Sequence, residues 1–356
     1  MPPRLPLPEP WSELMPHRTF VWFMAPSGLL MLLFIALPIV STLVQSMYVA
    51  HQRVMVATED CGPFGCTKQL RVDNAATAGL QQSQPLGQFN GLATYADHNH
   101  LAFADIAAAW TSGATWSEFY VWAQSLPFYR ALGFTLAYTA LVTPLAVVLG
   151  FLIALSVNGL PSAGKGPAIF VSLLPMIVTP LIGSLVLFWM IDAEGIIGST
   201  LQRLVGDPNL SLKASPTLTW ATLFTYGVWT SAPFAFVVLY AGLQTVPRDT
   251  LESAMIDGAS RLERVRYVVL PHLMPLVVFV ALIQLMDNFR VFEPIVGFNA
   301  EANATSLSWI IFNDLRGGGT QLFGSAAATS MLTILGVTLL MTPVLMRTWR
   351  DFSRSS

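Results

Sequence analysis

The sequence predicts an all-α polytopic membrane protein with six transmembrane helices, and three observations carry that expectation. Charged residues make up 11% of 356 and hydrophobic ones 54%, whereas an ordinary soluble domain has about 25% charged residues. Mean hydropathy is +0.58. Stretches free of Asp, Glu, Lys and Arg recur at lengths suited to a bilayer, where a span needs about 20 apolar residues because backbone amides must be satisfied internally. So few charges cannot cover a soluble surface of this size. The net charge of −2 supplies no basic field for nucleic acid. A free cytosolic enzyme, a nucleic-acid binder and a disordered chain are therefore excluded.

The charge-free runs, in order, are Thr19 to Ala50, Ala131 to Gly164, Gly166 to Ile191, Ala214 to Pro247, Tyr267 to Met286 and Gly317 to Met346. The first is too long for a signal-peptide core and reads as an uncleaved anchor. Orientation follows from basic residues. Arg4, Arg18, Lys165, Arg248, Arg261, Arg264, Arg266, Arg347, Arg350 and Arg354 crowd short segments on one side. Arg53, Lys68, Arg71, Arg130, Arg203, Lys213 and Arg316 are spread thinly on the other. Both termini are thus expected in the cytoplasm. The chain divides into a tail (1–18), the first span (19–50), an extracytoplasmic segment (51–127), a five-helix core (128–350) and a final tail (351–356).

The extracytoplasmic segment holds both cysteines, Cys61 and Cys66, around Gly-Pro-Phe-Gly. An oxidising compartment permits a disulfide, and the intervening residues favour a tight turn. A redox or metal pair is the alternative, without a second cysteine pair to support it. His98-x-His100 beside Asp97 likewise lacks further zinc ligands, so no metal site is expected.

The stretch 247–272 reads as a helix, a glycine and a second helix. Asp249 with Glu252, and Ser260 with Glu263, have capping-box spacing. Gly258 supplies the stop between them, and Pro271 is expected to end the second helix. Leu262, Val265 and Val269 fall near one apolar face. A solvated connector and a docking element both fit. An apolar face on a cytoplasmic loop favours docking.

Glu252-Ser253-Ala254, three residues, Gly258-Ala259 and then Leu270-Pro271 resembles the EAA loop of ABC-importer permeases. That loop usually reads E-A-A-x-x-x-G-A, with a later I/L-x-L-P. Ser253 stands where the family has alanine. Asp257, with Leu243-Gln244 and Pro247 upstream, is similar to the carbohydrate branch. Phe323-Gly324-Ser325-Ala326-Ala327-Ala328 resembles the opening of the family's last helix, and Leu174-Pro175 and Gly195 to Leu201 resemble positions around its third. The resemblance covers about 128–350 and is strongest to the larger permease subunit of maltose-type importers.

It implies the type I ABC importer permease fold in a bacterial inner membrane, embedded in lipid. It also implies a second permease subunit, two cytoplasmic ATPase subunits and a periplasmic solute-binding protein as partners, and a sugar, oligosaccharide or polyol as substrate. Glu252, Ala254, Asp257, Gly258, Ala259, Leu262, Val265, Leu270 and Pro271 would couple this chain to an ATPase. ATP and Mg would be bound by that ATPase, so this chain would hold no cofactor of its own.

Gly159-Leu-Pro-Ser-Ala-Gly164-Lys165 nearly spells a phosphate-binding loop. Gly166, however, stands where a magnesium-binding Ser or Thr is required, and no strand precedes it. A turn between helices is the better reading. With no H-E-x-x-H, nucleophile elbow or Cys/His cluster, no catalytic residues are expected.

On the fifth span, Gln284, Asp287, Asn288 and Val291 recur at three- and four-residue spacing. Polar groups at membrane depth usually face a cavity or a partner helix. Arg290 either snorkels to the interface beside Asp287 or Glu293, or answers an anionic sugar. Asn288-Phe289-Arg290-Val291-Phe292 is similar to the family's Asn-Phe-x-x-Phe stretch, which lines the sugar site, so the resemblance implies substrate contact at Gln284, Asp287, Asn288 and Val291, although Val291 replaces a polar residue. Trp229-Thr230-Ser231-Ala232-Pro233-Phe234 resembles a second lining stretch, which implies substrate contact at Thr230, Ser231 and Phe234. Ordinary helix packing is the alternative for Trp229 and Phe234. Two rival functions are an ion-coupled secondary transporter, which usually shows internal repeats absent here, and an ABC permease for a non-sugar solute.

Overall fold

Apolar runs that cannot hydrogen-bond to lipid close their amides on themselves, and the chain accordingly folds almost wholly into helices. The computed structural model describes residues 16–51, 54–62, 65–111, 115–316 and 322–355. The first span joins α1 (Pro16–Met31), a π-helical turn (Leu32–Ala36) and α2 (Leu37–Gln45). Every side chain from Phe20 to Ser41 is exposed, as lipid contact allows.

The segment that follows contains β1 (Tyr48–Val49), β2 (Met55–Gly62), β3 (Gly65–Val72), α3 (Asn74–Ser83), β4 (Gln88–Phe89), α4 (Ala93–Ala96), α5 (Phe103–Thr111) and α6 (Trp116–Ser125). β1 pairs antiparallel with β4. β2 and β3 form a hairpin whose register sets Cys61 opposite Cys66 and Gly62 opposite Gly65. The cysteine side chains lie outside the described residues. Asp73 caps α3 by accepting from the amides of Ala75 and Ala76, and a Thr115–Glu118 capping box opens α6.

The core runs through α7 (Pro127–Asn158), α8 (Ser162–Ile177), α9 (Pro180–Met190), α10 (Ile196–Val205), α11 (Pro216–Leu243), α12 (Arg248–Ile256) and α13 (Arg261–Arg264). A π turn (Val265–Val269), α14 (Leu270–Phe289), α15 (Glu293–Gly297), α16 (Leu307–Arg316) and α17 (Phe323–Ser355) complete it. α7 and α11 form the central pair, and α14 packs on both. One apolar cluster, with Phe134, Tyr138, Leu223 and Ile295, fills the end nearest α15. A second, with Ala154, Phe236, Leu239 and Leu273, fills the end nearest α12.

One span has a shape that hydropathy does not show, and one expectation needs correction. The third charge-free run is not one straight rod: α8 and α9 meet at 93°. Thr179 is extended, Pro180 opens α9, and the Tyr226 hydroxyl donates to the Pro180 carbonyl at 2.8 Å. Counting this bent pair as one span gives six among the described residues. Nor does Pro271 end a helix. The chain stays helical from Arg261 to Phe289, with the Leu270 amide bonded to the Val265 carbonyl across the π turn. Proline lacks an N–H and crowds the carbonyl four residues back, and a widened turn just before it relieves both problems. The first span repeats the device: Leu37 bonds to Leu32 across its π turn, and Pro38 follows.

Candidate functional site

The loop 247–272 begins at Pro247, whose extended backbone leads into α12 without any side-chain cap. The Asp249–Glu252 capping box expected from the sequence is not formed. Because α12 starts at Arg248, Asp249 lies inside the first turn, where its charge complements the helix dipole instead. Gly258 takes φ +81°, and the Ala259 amide reaches back to the Ala254 carbonyl at 3.0 Å, a left-handed helix stop. Ser260 and Glu263 do form their capping box: the Ser260 amide donates to Glu263 Oε2 at 2.7 Å, and the Glu263 amide to Ser260 Oγ at 3.3 Å.

The apolar residues of this loop divide into two groups. Val269 is buried within the core cluster, Val265 and Leu270 are half-buried, and Pro271 is exposed. Leu262 is 76% exposed and Ile256 87%. The π turn adds a residue between Leu262 and Val269 and offsets their phase, so they do not share the face that simple periodicity gives them. Glu252, Asp257 and Gly258 are exposed, while Ala254 and Ala259 are half-buried.

At membrane depth, two amides of α14 bind its neighbours. Gln284 Nε2 donates to the Ser231 carbonyl at 2.8 Å, while its Oε1 is buried without a partner. Asn288 Nδ2 donates to Thr143 Oγ1 at 3.0 Å. Val291 is buried and its carbonyl accepts from Ser306 Oγ at 2.6 Å. Asp287 lies apart from these: it is exposed and pairs with Arg290 at 2.8 Å. The Thr230 hydroxyl is held by the Tyr226 and Gly227 carbonyls of its own helix. Ser231 and Phe234 are half-buried, Phe234 against the cluster around Phe236 and Leu239.

Sequence reading missed Thr143. It ends a stripe on α7, Thr135, Thr139 and Thr143, buried at four-residue spacing. Thr135 Oγ1 accepts from the Leu307 amide at 3.2 Å, so the stripe receives both α14 and the start of α16. The signal was a threonine at every fourth position inside a charge-free run.

At the end of the bundle opposite residues 247–272, Lys213 pairs with Asp192 at 2.7 Å and lies over the Phe188 ring at 3.3 Å. The Lys213 hydrogen bond, helped by backbone amides, holds the Asp192 carboxyl below its ordinary range. Asp314 is pushed the other way by burial, partly offset by the Ser325 hydroxyl and His100. The two histidines diverge: His98 meets Asp105 at 2.7 Å, and His100 approaches the Ser325 carbonyl at 3.2 Å. No group of three potential metal ligands occurs among the described residues. The phosphate-loop look-alike is a short turn, with the Gly159 amide closing on Leu155 and Ser156, that runs straight into the first turn of α8 at Ser162 to Lys165.

Comparison with known proteins agrees with this architecture. Residues 120–342 match the family described as binding-protein-dependent transport system inner membrane component. The probable ABC transporter permease protein y4oQ of Sinorhizobium fredii is 31% identical over 65% of this chain and 74% of its own length. The trehalose/maltose transport system permease protein MalF of Thermococcus litoralis is 28% identical over 58% of this chain and 70% of its own. A chain of a bacterial alginate ABC transporter shares the fold, with TM-score 0.58 and 21% identity over 70% of this chain and 88% of that one. The family match takes in the bent span, the helix–glycine–helix stretch 247–272 and the threonine-lined core, so the chain belongs to the binding-protein-dependent transport system inner membrane components and is the transmembrane permease of an ABC importer.

Proposed function

We propose that this permease conducts a neutral sugar, oligosaccharide or polyol and is driven from the cytoplasm through 247–272. One observation carries the reading. The exposed Leu262 and the buried amides Gln284 and Asn288 belong to one helical rod, Arg261 to Phe289. A push on Leu262 therefore reaches the site without crossing a flexible joint. The amides now bonded to Ser231 and Thr143 exchange those partners for substrate hydroxyls when α14 moves against α7 and α11. Thr230, Ser231 and Phe234 face the same exchange from α11, with Asp287 and Val291 at its outer edge. The trehalose/maltose relative supports a carbohydrate as cargo.

The full transporter comprises this chain, a second permease, two ATPase subunits and an extracytoplasmic binding protein. ATP and Mg bind the ATPases, and both termini lie in the cytoplasm. Uptake of radiolabelled trehalose and maltose into proteoliposomes holding the assembled complex should require ATP inside the ATPase compartment and ignore ion gradients. Uptake that persists without ATP and collapses with an ion gradient refutes the reading in favour of a secondary transporter.

The extracytoplasmic hairpin adds a smaller expectation. The register sets Cys61 opposite Cys66, and an oxidising compartment would permit a disulfide between them. Alkylation of the denatured, unreduced chain should leave its mass unchanged, and two added alkyl groups would show free thiols.

A further inference from the structure

We infer that the end of the bundle opposite the coupling loop carries a second saccharide site, a cavity of about 440 Å³ between α15 and α16. The inference deepens the carbohydrate reading above and rests on it for the class of ligand. Trp309, Phe312, Asn313 and Arg316 line one wall. They follow three- and four-residue spacing, so a single face of α16 supplies them all. The facing wall includes Asn299 and Glu301. Asn299 sits at φ +52°, a left-handed conformation that asparagine tolerates better than most residues.

The volume lies within the roughly 300–1,000 Å³ of small-molecule sites. Its chemistry is that of a sugar site. Trp309 packs against the apolar cluster around Ile295 and Phe298, which fixes an aromatic platform for the C–H face of a pyranose. Asn299, Glu301 and Asn313 bring planar polar groups for the hydroxyl edge. None of those three side chains hydrogen-bonds another described residue, so their donors and acceptors are open to a ligand. Arg316 is held 5.4 Å over the Phe312 ring. One carboxylate and one guanidinium in the lining favour a ligand without net charge.

Placement gives the cavity a role. The Phe312 ring is 5.0 Å from that of Phe292, and Ser306 ties the start of α16 to Val291. The cavity thus opens just beyond the end of α14 that carries Asn288. A saccharide resting there is one short step from the membrane site.

The test is saturation-transfer difference NMR on the nucleotide-free complex in nanodiscs, without binding protein, using trehalose and maltose as probes. Saturation of sugar protons should persist in Asn288→Ala and weaken about tenfold in Trp309→Ala, the loss expected from one stacking platform. Trp309→Phe should restore it, and Asn313→Ala, at an exposed position, should weaken it in a complex that assembles normally. A signal insensitive to Trp309 and Asn313, or none from either sugar, overturns the cavity site. Trp309-dependent saturation without ATP-driven uptake keeps the cavity and refutes the transport reading. ATP-driven uptake with Trp309-independent saturation does the reverse.

Discussion

Replacing Ile256 and Leu262 together with aspartate should abolish capture of the ATPase subunits and reduce uptake to background, while the chain itself stays folded. Both side chains are largely bare, 87% and 76% exposed, although they sit on capped and sharply defined helix ends. Covering each by a partner would contribute about 1.5–3 kcal/mol. A carboxylate in the same place adds a desolvation cost of comparable size or larger. Together these reach about 4 kcal/mol or more, roughly a thousandfold in affinity. Neither residue belongs to the apolar clusters of the subunit, so its thermal stability should not fall. The measurement is co-purification of the ATPase with tagged permease, alongside proteoliposome uptake. Undiminished capture of the ATPase by the double variant would place the drive elsewhere on the chain.

The parts of this loop legible in the sequence were those fixed by local chemistry. Gly258 reads as a helix stop because left-handed backbone is nearly strain-free only for glycine. Ser260 and Glu263 find each other because Glu263 stands three positions after Ser260, the capping-box spacing. Pro271 misled for a reason lying outside its own neighbourhood. Proline breaks an isolated helix, but here apolar packing of Val269 and Leu273 on the core keeps the rod continuous, and the π turn absorbs the missing bond. The bend between α8 and α9 was hidden because hydropathy measures the length of an apolar run, not its direction. On α14, spacing gathered Gln284, Asp287, Asn288 and Val291. At about 100° per residue Asp287 falls some 60° round from Gln284, at the edge of the buried sector, where Arg290 can claim it. Thr143 went unnoticed because a hydroxyl in an apolar run gains meaning only from the helix that meets it.

Gly150→Val should lower the detergent melting temperature of the permease by about 10 °C. The cause is the close crossing of α7 and α11. A Cβ built on Gly150 falls 2.6 Å from the Ala235 Cβ, 2.7 Å from the Phe236 amide nitrogen and 2.9 Å from the Ala232 carbonyl oxygen. Two of those three atoms are backbone, so no rotamer change relieves the clash and the helices must separate. Separation loosens Val147, Ala154, Phe236 and Leu239, which are buried along the same seam. Without a strong hydrophobic force between helices in lipid, such close backbone contact is a main source of association. Overpacking of this kind costs about 1–3 kcal/mol, with Gly150→Ala at the lower end and the branched valine at the upper. The same strain should disturb the Asn288–Thr143 bond, since Thr143 lies two turns along α7, so uptake should fall before the complex dissociates. Gly166→Ala is the matched control: it lies in α8 with nothing within 4 Å of its added Cβ, and its melting temperature should hold or rise slightly. Equal behaviour of Gly150→Ala and Gly166→Ala would mean that α7 and α11 do not meet as closely as this packing requires.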